Sequence, residues 1–253
     1  MENLDDLWDS LLTAKKSLLI FDYEGTLTLP HSGTKVPEPY PWVKEMIESI
    51  LSSGSKVGII SNHSVDELTQ VLRFAWEIEI WGLHGTEMRR HEETMQRFML
   101  PTDIKAGFKH AIDRIKIAGW HRHVVRKHGL LSISWASVSS READQMRVTV
   151  PKLLEVVLKN EDFILIEYPD KYELRTIYFD KSTSVASMIL DADRDAVIAY
   201  IGDDGAFRML NGTGYSFLVN TNLLRSPARN RLTSTEQLTS FLAKWHSITK
   251  GSF

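Results

Sequence analysis

Carboxylate side chains follow short apolar runs at two places in this sequence. Asp22 and Glu24 come after one run, and Asp203 and Asp204 come after another, far along the chain. Carboxylate oxygens are the ligands that hard cations such as Mg²⁺ prefer in proteins. These four residues therefore predict a divalent-metal site, and such a site suits a negatively charged substrate.

Three polar residues add to the predicted chemistry. Ser61 and Asn62 follow a further apolar run, and Lys181 precedes the late one. A hydroxyl group at Ser61 would donate a hydrogen bond to a transferring phosphoryl group, and the ammonium group of Lys181 would offset its charge. Simpler interpretations stay open: Ser61 as a strand-end cap, Lys181 as a surface lysine, and Asp203 and Asp204 as helix caps.

Alternating apolar elements indicate how these residues are brought together. Short continuous apolar runs are typical of buried strands, and the segments between them have helical spacing. Strands are predicted at 17–21, 56–61, 77–81, 196–201 and 215–219, and helices at 37–51, 64–74 and 236–245. This order predicts an α/β fold with a doubly wound parallel sheet, in which ligands bind at the carboxyl ends of the strands.

The middle of the chain has a different order of elements. Helices are predicted at 102–117 and 143–159, and strands at 123–125, 130–134, 163–167 and 172–177. Because this order lacks the strand–helix–strand alternation, we expect an inserted α+β domain at 101–177. The core domain would then comprise 1–100 and 178–253.

Composition excludes several classes of protein. The 253 residues carry a net charge of −3 and are 43% hydrophobic, with no cysteine. Disulfides and thiolate zinc sites are excluded, and the charge gives no support to nucleic-acid binding. No apolar run approaches the ~20 residues of a membrane helix. We expect a cytoplasmic monomer whose partner is a small molecule.

The motifs and their order resemble a known family. The four motifs of the haloacid dehalogenase superfamily are matched by Asp22-Tyr23-Glu24-Gly25-Thr26-Leu27, Ser61, Lys181 and Gly202-Asp203-Asp204. Within that superfamily the chain looks most like the trehalose-6-phosphate phosphatases. The additional matches are Gly82-Leu83-His84-Gly85-Thr86-Glu87, Glu173-Leu174-Arg175 and Tyr200-Ile201-Gly202-Asp203-Asp204.

The resemblance implies a two-step, Mg²⁺-dependent hydrolysis of a sugar phosphate. Asp22 would form an aspartyl-phosphate, and position 24 would transfer the protons. The metal ligands would be Asp22, the main-chain carbonyl of Glu24, and Asp203 with Asp204. The implied substrate contacts are Asn62, His84, Glu87, Glu173 and Arg175, and the inserted domain would be a cap that excludes water.

The sequence also departs from the family pattern. The family acid/base is aspartate, whereas this chain has Glu24, and the family Ser-Gly-Arg is replaced by Ser61-Asn62-His63. The acidic stretch after the last motif is shortened, and the sugar-contacting motifs of the cap are altered. Two alternatives follow: a catalytically weakened relative that binds sugar phosphates or regulates a partner, and a phosphatase for another glycosyl phosphate.

Overall fold

The computed structural model describes residues 4–29, 35–73, 77–90, 93–202, 206–219 and 226–251. The chain divides into two compact units. The first is assembled from Met1–His31, Lys35–Gln96 and Asp180–Phe253, and the second contains Arg97–Phe179. The first unit is thus interrupted in sequence by the second.

The first unit is built on a mainly parallel sheet. In the described residues its strands are β1 (Ser17–Asp22), β2 (Lys56–Ile60), β3 (Glu79–Gly82), β4 (Glu87–Arg89), β5 (Gln96–Arg97), β10 (Val197–Gly202), β11 (Tyr215–Val219) and β12 (Asn230–Leu232). Their spatial order is β12-β11-β10-β1-β2-β3-β4-β5. The strands from β12 to β3 run parallel, and β4 is antiparallel to β3. The predicted α/β fold is therefore confirmed.

Helices cover both faces of this sheet. The helices of the first unit are α1 (Leu4–Thr13), α2 (Val43–Ser52), α3 (Val65–Val71), α6 (Lys181–Leu190) and α7 (Thr235–Lys250). The apolar sides of α1, α2, α3 and α7 form one core with the strands. On the opposite face, α6 approaches β2 so closely that a Cβ atom at Gly58 would lie 2.4 Å from Met188 Sδ.

The second unit consists of an antiparallel sheet and two helices. Its helices are α4 (Thr102–Ile117) and α5 (Ser140–Leu158), and its strands are β6 (Val124–Lys127), β7 (Leu130–Ser134), β8 (Phe163–Tyr168) and β9 (Lys171–Thr176). The strand order is β6-β7-β9-β8. Alternate residues of β7 and β9 join the apolar sides of α4 and α5 in a separate core. None of the described helices has the length and apolar content required to cross a bilayer.

Candidate active site

The carboxyl ends of β1 and β2 bring together the first group of predicted site residues. Asp22 is the last residue of β1 and is paired in register with Ile60, directly before Ser61. Asp22 and Ser61 are both fully buried. A parallel register of this kind places the residues that follow adjacent strands at one edge of the sheet, as the sequence predicts.

Lys181 reaches the same edge from a distant part of the chain. It is the first residue of α6, and its Nζ atom lies 2.6 Å from Asp22 Oδ2. The side chain of Lys181 is only 11% exposed and that of Asp22 is completely buried. The helix begins here because Asp180 caps it: its carboxylate accepts a hydrogen bond from the backbone N–H of Thr183 at 2.8 Å.

The chain turns sharply after Asp22. Glu24 keeps an extended backbone (φ −69°, ψ 130°), and Gly25 follows with a positive φ of 74°, a conformation that glycine adopts without a steric penalty. The turn directs the Glu24 side chain toward the segment that follows β2. Glycine at position 25 thus permits the sharp turn that follows Glu24.

The Glu24 carboxylate is held by three donors from one short segment. Ser61 Oγ donates to Glu24 Oε1 at 2.5 Å, and His63 Nδ1 lies 2.7 Å from the same oxygen. The backbone N–H of Asn62 donates to Oε2 at 3.3 Å. Ser61, predicted to donate to a phosphoryl group, therefore donates to Glu24 in this structure.

The electrostatic surroundings of Glu24 favour its ionised form. Burial alone would raise the pKa of this carboxyl group. The hydrogen bond of His63, the charges of Lys181 and His63, and the hydrogen bond of Ser61 outweigh burial and lower the pKa to about 2. Near neutral pH Glu24 is therefore a carboxylate, which can accept a proton and has none to donate.

A tight turn between β3 and β4 adjoins this segment. The backbone N–H of Leu83 donates to the His63 carbonyl at 2.8 Å, and that of His84 donates to the Ser61 carbonyl at 3.2 Å. Both residues have positive φ values, 48° for Leu83 and 58° for His84. The conformation of the segment that carries Ser61 and His63 is thus tied to this turn.

The remaining predicted contacts lie in different places. His84 is in the β3–β4 turn, and Glu87 begins β4, where its Oε2 atom accepts a hydrogen bond from the backbone N–H of Val65 at 3.2 Å. Glu87 therefore accepts a hydrogen bond from the first turn of α3. A substrate contact by this residue stays a prediction.

Glu173 and Arg175 belong to the second unit. They lie in β9, in the register that points away from the apolar core of that unit. Lys171 Nζ lies 2.7 Å from Glu173 Oε1, and Arg175 Nε lies 3.3 Å from Glu173 Oε2. The carboxylate of Glu173 is thus flanked by two cations.

The predicted metal ligands are described only in part. Asp203 and Asp204 lie outside the described residues. Within the described ranges, no group of three or more His, Cys, Asp or Glu side chains is arranged to hold a metal ion. The donors that are described, the Asp22 carboxylate and the main-chain carbonyl of Glu24, are both oxygen, which fits Mg²⁺ chemically.

Sequence reasoning did not assign a role to His63. The sequence did contain a signal, since glutamate replaces the family aspartate at position 24 and histidine replaces arginine at position 63. The two departures concern residues that contact each other.

Comparison with solved structures identifies the fold. The chain is similar to a trehalose-6-phosphate phosphatase of Aspergillus fumigatus (19% identity, TM-score 0.67, covering 99% of this chain and 98% of that one). It is also similar to the C-terminal domain of the corresponding C. albicans phosphatase (16%, TM-score 0.74, covering 98% and 96%). The predicted resemblance is confirmed at the level of the fold.

A third structure of the same fold has a different description. The C-terminal domain of a Candida albicans trehalose synthase regulatory protein is 9% identical, with a TM-score of 0.67 and coverage of 95% of this chain and 97% of that one. No protein-family model matches the sequence, and no curated protein matches it. At these identities the comparisons establish the architecture alone.

Proposed function

We propose that the protein is a sugar-phosphate phosphatase that forms a covalent phosphoryl intermediate on Asp22, with trehalose 6-phosphate as the candidate substrate. The observation that carries the proposal is the 2.6 Å contact between Asp22 Oδ2 and Lys181 Nζ. A buried carboxylate beside a largely buried ammonium group, at the carboxyl edge of a parallel sheet, is suited to nucleophilic attack on an anionic phosphate ester.

The first step transfers the phosphoryl group to the protein. An Asp22 oxygen forms a bond to phosphorus while the bond from phosphorus to the sugar oxygen breaks. The electron pair leaves with the sugar oxygen, which takes a proton from solvent water, because Glu24 is ionised and has none to donate. The positive charge of Lys181 stabilises the charge that develops on the phosphoryl oxygens.

The second step is hydrolysis of the aspartyl-phosphate. Water attacks phosphorus, the Asp22–phosphorus bond breaks, and inorganic phosphate leaves. The Glu24 carboxylate can take the proton of that water because it is ionised near neutral pH. Glu24 is thus better suited as the base of the second step than as the acid of the first.

Mg²⁺ is the proposed cofactor of this site. The residues that would hold it are Asp22, the main-chain carbonyl of Glu24, and Asp203 with Asp204. When bound, the cation supplies positive charge that offsets the charge of the phosphoryl oxygens. The substrate contacts predicted at Asn62, His84, Glu87, Glu173 and Arg175 belong to the same proposal.

A second candidate function is binding of a sugar phosphate without efficient turnover. The specific observation that favours it is that Glu24 Oε1 is shared by Ser61 and His63. In this arrangement no proton is stored on Glu24 for the leaving sugar, and the Ser61 hydroxyl is engaged. The similarity in fold to a protein described as regulatory is consistent with this candidate.

Phosphate release in the presence of Mg²⁺ tests the proposal. Trehalose 6-phosphate and glucose 6-phosphate are compared for the wild-type protein and Asp22→Asn. We expect release from trehalose 6-phosphate at the higher rate and none from Asp22→Asn. Retained activity in Asp22→Asn would contradict the covalent route.

Calorimetry with trehalose 6-phosphate separates the two candidates. Binding without phosphate release would support the second candidate function. In that case Glu24→Asp gives a further measurement, because the shorter side chain releases Ser61. Release of phosphate by Glu24→Asp alone would show that nucleophile and lysine are competent and that Glu24 limits the reaction.

A further inference from the structure

The turn from Gly82 to Gly85 has an unusual backbone. Leu83 and His84 are, among the residues that the structure describes, the two non-glycine residues with positive φ, and they are consecutive. A left-handed backbone is unfavourable for a residue with a Cβ atom, so such residues persist only where the surroundings impose them. Two in succession, one of them a leucine, indicate strong constraint from the neighbouring elements.

One side of the turn constrains the segment that holds Glu24. The backbone donors of Leu83 and His84 bind the carbonyl groups of His63 and Ser61. The approach is close, because a Cβ atom at Gly82 would lie 2.8 Å from the His63 carbonyl oxygen. The Ser61 and His63 side chains in turn contact Glu24 Oε1.

The other side of the turn contacts the beginning of α6. Gly85 has a φ of 100°, and a Cβ atom there would lie 2.6 Å from Ser184 Oγ and 3.1 Å from the Asp180 carbonyl oxygen. Asp180 caps α6 and is followed by Lys181, whose ammonium group pairs with Asp22. The turn therefore contacts both segments that position the two acids of the candidate site.

We propose that the turn Gly82–Gly85 is a positioning element, whose constrained backbone sets Lys181 against Asp22 and the Ser61–His63 segment against Glu24. The inference rests on the proposed function for its kinetic consequences. The residues of the turn act through backbone contacts and close packing, so a disturbance at Gly85 is transmitted to Lys181 through α6.

Gly85→Ala is the variant that tests this proposal, and Gly212→Ala is its matched control. Both glycines have positive φ, 100° and 81°, but a Cβ atom at Gly212 would meet nothing within 4 Å. Both variants therefore carry the conformational penalty of alanine, and Gly85→Ala alone pushes against α6. We expect kcat to fall roughly tenfold to a hundredfold in Gly85→Ala with KM within about twofold, and to stay unchanged in Gly212→Ala.

Rescue distinguishes positioning from general destabilisation. Ser184→Ala removes the oxygen atom that the new Cβ meets, so the double variant Gly85→Ala/Ser184→Ala should recover a large part of kcat. If Gly85→Ala does not fold, Ser184→Thr tests the same contact from the α6 side. A loss of kcat that is equal in Gly85→Ala and Gly212→Ala would overturn the proposal.

A readout that does not depend on turnover keeps the inference separate from the proposed function. Lys181 is 11% exposed, whereas Lys44 is 59% exposed and serves as the internal reference. Acetylation by acetic anhydride, followed by mass spectrometry, should modify Lys181 several-fold faster in Gly85→Ala and at the wild-type rate in Gly212→Ala. Unchanged Lys181 acetylation in Gly85→Ala would overturn the positioning role, whereas absence of phosphate release from the wild-type protein would contradict only the proposed function.

Discussion

Glu24 Oε1 lies 2.7 Å from His63 Nδ1, and the two side chains are 8% and 9% exposed. The contact depends on the length of glutamate, because the carboxylate of an aspartate would end about 1.5 Å short. Two departures from the family pattern, at positions 24 and 63, thus form one buried pair. Substitution at either position should therefore be assessed together with the other.

Replacement of His63 should destabilise the protein. In His63→Ala the buried Glu24 carboxylate loses one of its three donors, and we expect the free energy of unfolding to fall by about 1–3 kcal/mol. Urea unfolding measures this change. His246→Ala is the control, because His246 Nδ1 is buried without a hydrogen-bond partner in the described part of the chain.

Removal of His63 in the Glu24→Gln variant tests the cause of this loss of stability. In Glu24→Gln the charge at position 24 is absent, so removal of His63 should cost less than in the wild-type protein. An equal cost in both backgrounds would assign the stabilisation by His63 to packing alone.

The Asp22–Lys181 pair should show strong coupling. Lys181→Met leaves a fully buried carboxylate without its cation, and the free energy of unfolding should fall by about 3–5 kcal/mol. Asp22→Asn/Lys181→Met should cost less than the sum of the two single variants. A double-mutant cycle from urea unfolding gives the coupling energy directly.

An exposed ion pair provides the comparison for this cycle. Lys44 and Glu48 lie 3.8 Å apart on α2 and are 59% and 48% exposed. Their coupling should be about 0.5 kcal/mol or less. A coupling for Asp22 and Lys181 as small as that of the exposed pair would contradict the structural interpretation of the buried contact.

Local sequence patterns predicted many of the helices and strands of both units. Strand 215–219 and helix 102–117 are observed with the predicted bounds. The helix predicted to begin at 64 is capped there, because Ser64 and Glu67 form a capping box. These features depend on neighbours within a few residues, so periodicity and capping chemistry are sufficient to find them. For the arrangement of elements that are distant in sequence, by contrast, only the fold class was predicted.

The predicted and observed elements differ where the structure depends on more than the local apolar pattern. Helix α2 begins at Val43 rather than at 37, because prolines at positions 37, 39 and 41 disfavour helical backbone before it. Strand β4, Glu87–Arg89, was not predicted, since three residues carry too little pattern and depend on pairing with β3. The partners of Glu24 depend on the approach of two loops, and no local pattern encodes that distance.

The stability of the first unit should depend on the ionisation of Glu79. Burial is the main cause that raises the pKa of this carboxyl group above its ordinary value of 4.5. Above the ordinary pKa the unfolded state releases its proton first, so stability falls as the pH rises from 4.5 through the raised pKa of the folded state. Glu79→Gln should therefore stabilise the protein near neutral pH and have little effect below the ordinary pKa.

Glutamine is a suitable replacement because it preserves the local hydrogen bond. Trp81 Nε1 donates to Glu79 Oε1 at 2.7 Å, and an amide oxygen can accept the same bond. Urea unfolding across the pH range measures the effect, with Glu48→Gln as the exposed control. A gain in stability that does not change with pH would contradict ionisation as its cause.

Replacement of Gly107 by alanine should destabilise the second unit, although alanine has the higher helix propensity. Alanine is favoured over glycine within a helix by about 0.8–1 kcal/mol. In α4, however, a Cβ atom at position 107 would lie 2.5 Å from Phe163 Cζ and 2.6 Å from Phe163 Cε2. That ring also packs edge-on against Phe108 at 5.2 Å, so it has little room to move.

The steric conflict with Phe163 should therefore outweigh the favourable helix propensity of alanine. Gly107→Ala should lower the free energy of unfolding by about 1–3 kcal/mol in the wild-type background, as measured by urea unfolding of the full chain. In the Phe163→Leu background the ring is absent, so the same substitution should be neutral or stabilising. Helix propensity is common to both backgrounds, so a difference between them reports on the ring. If Gly107→Ala were stabilising with Phe163 present, the ring would have to move aside. The close approach of α4 to β8 would then impose no constraint on residue size.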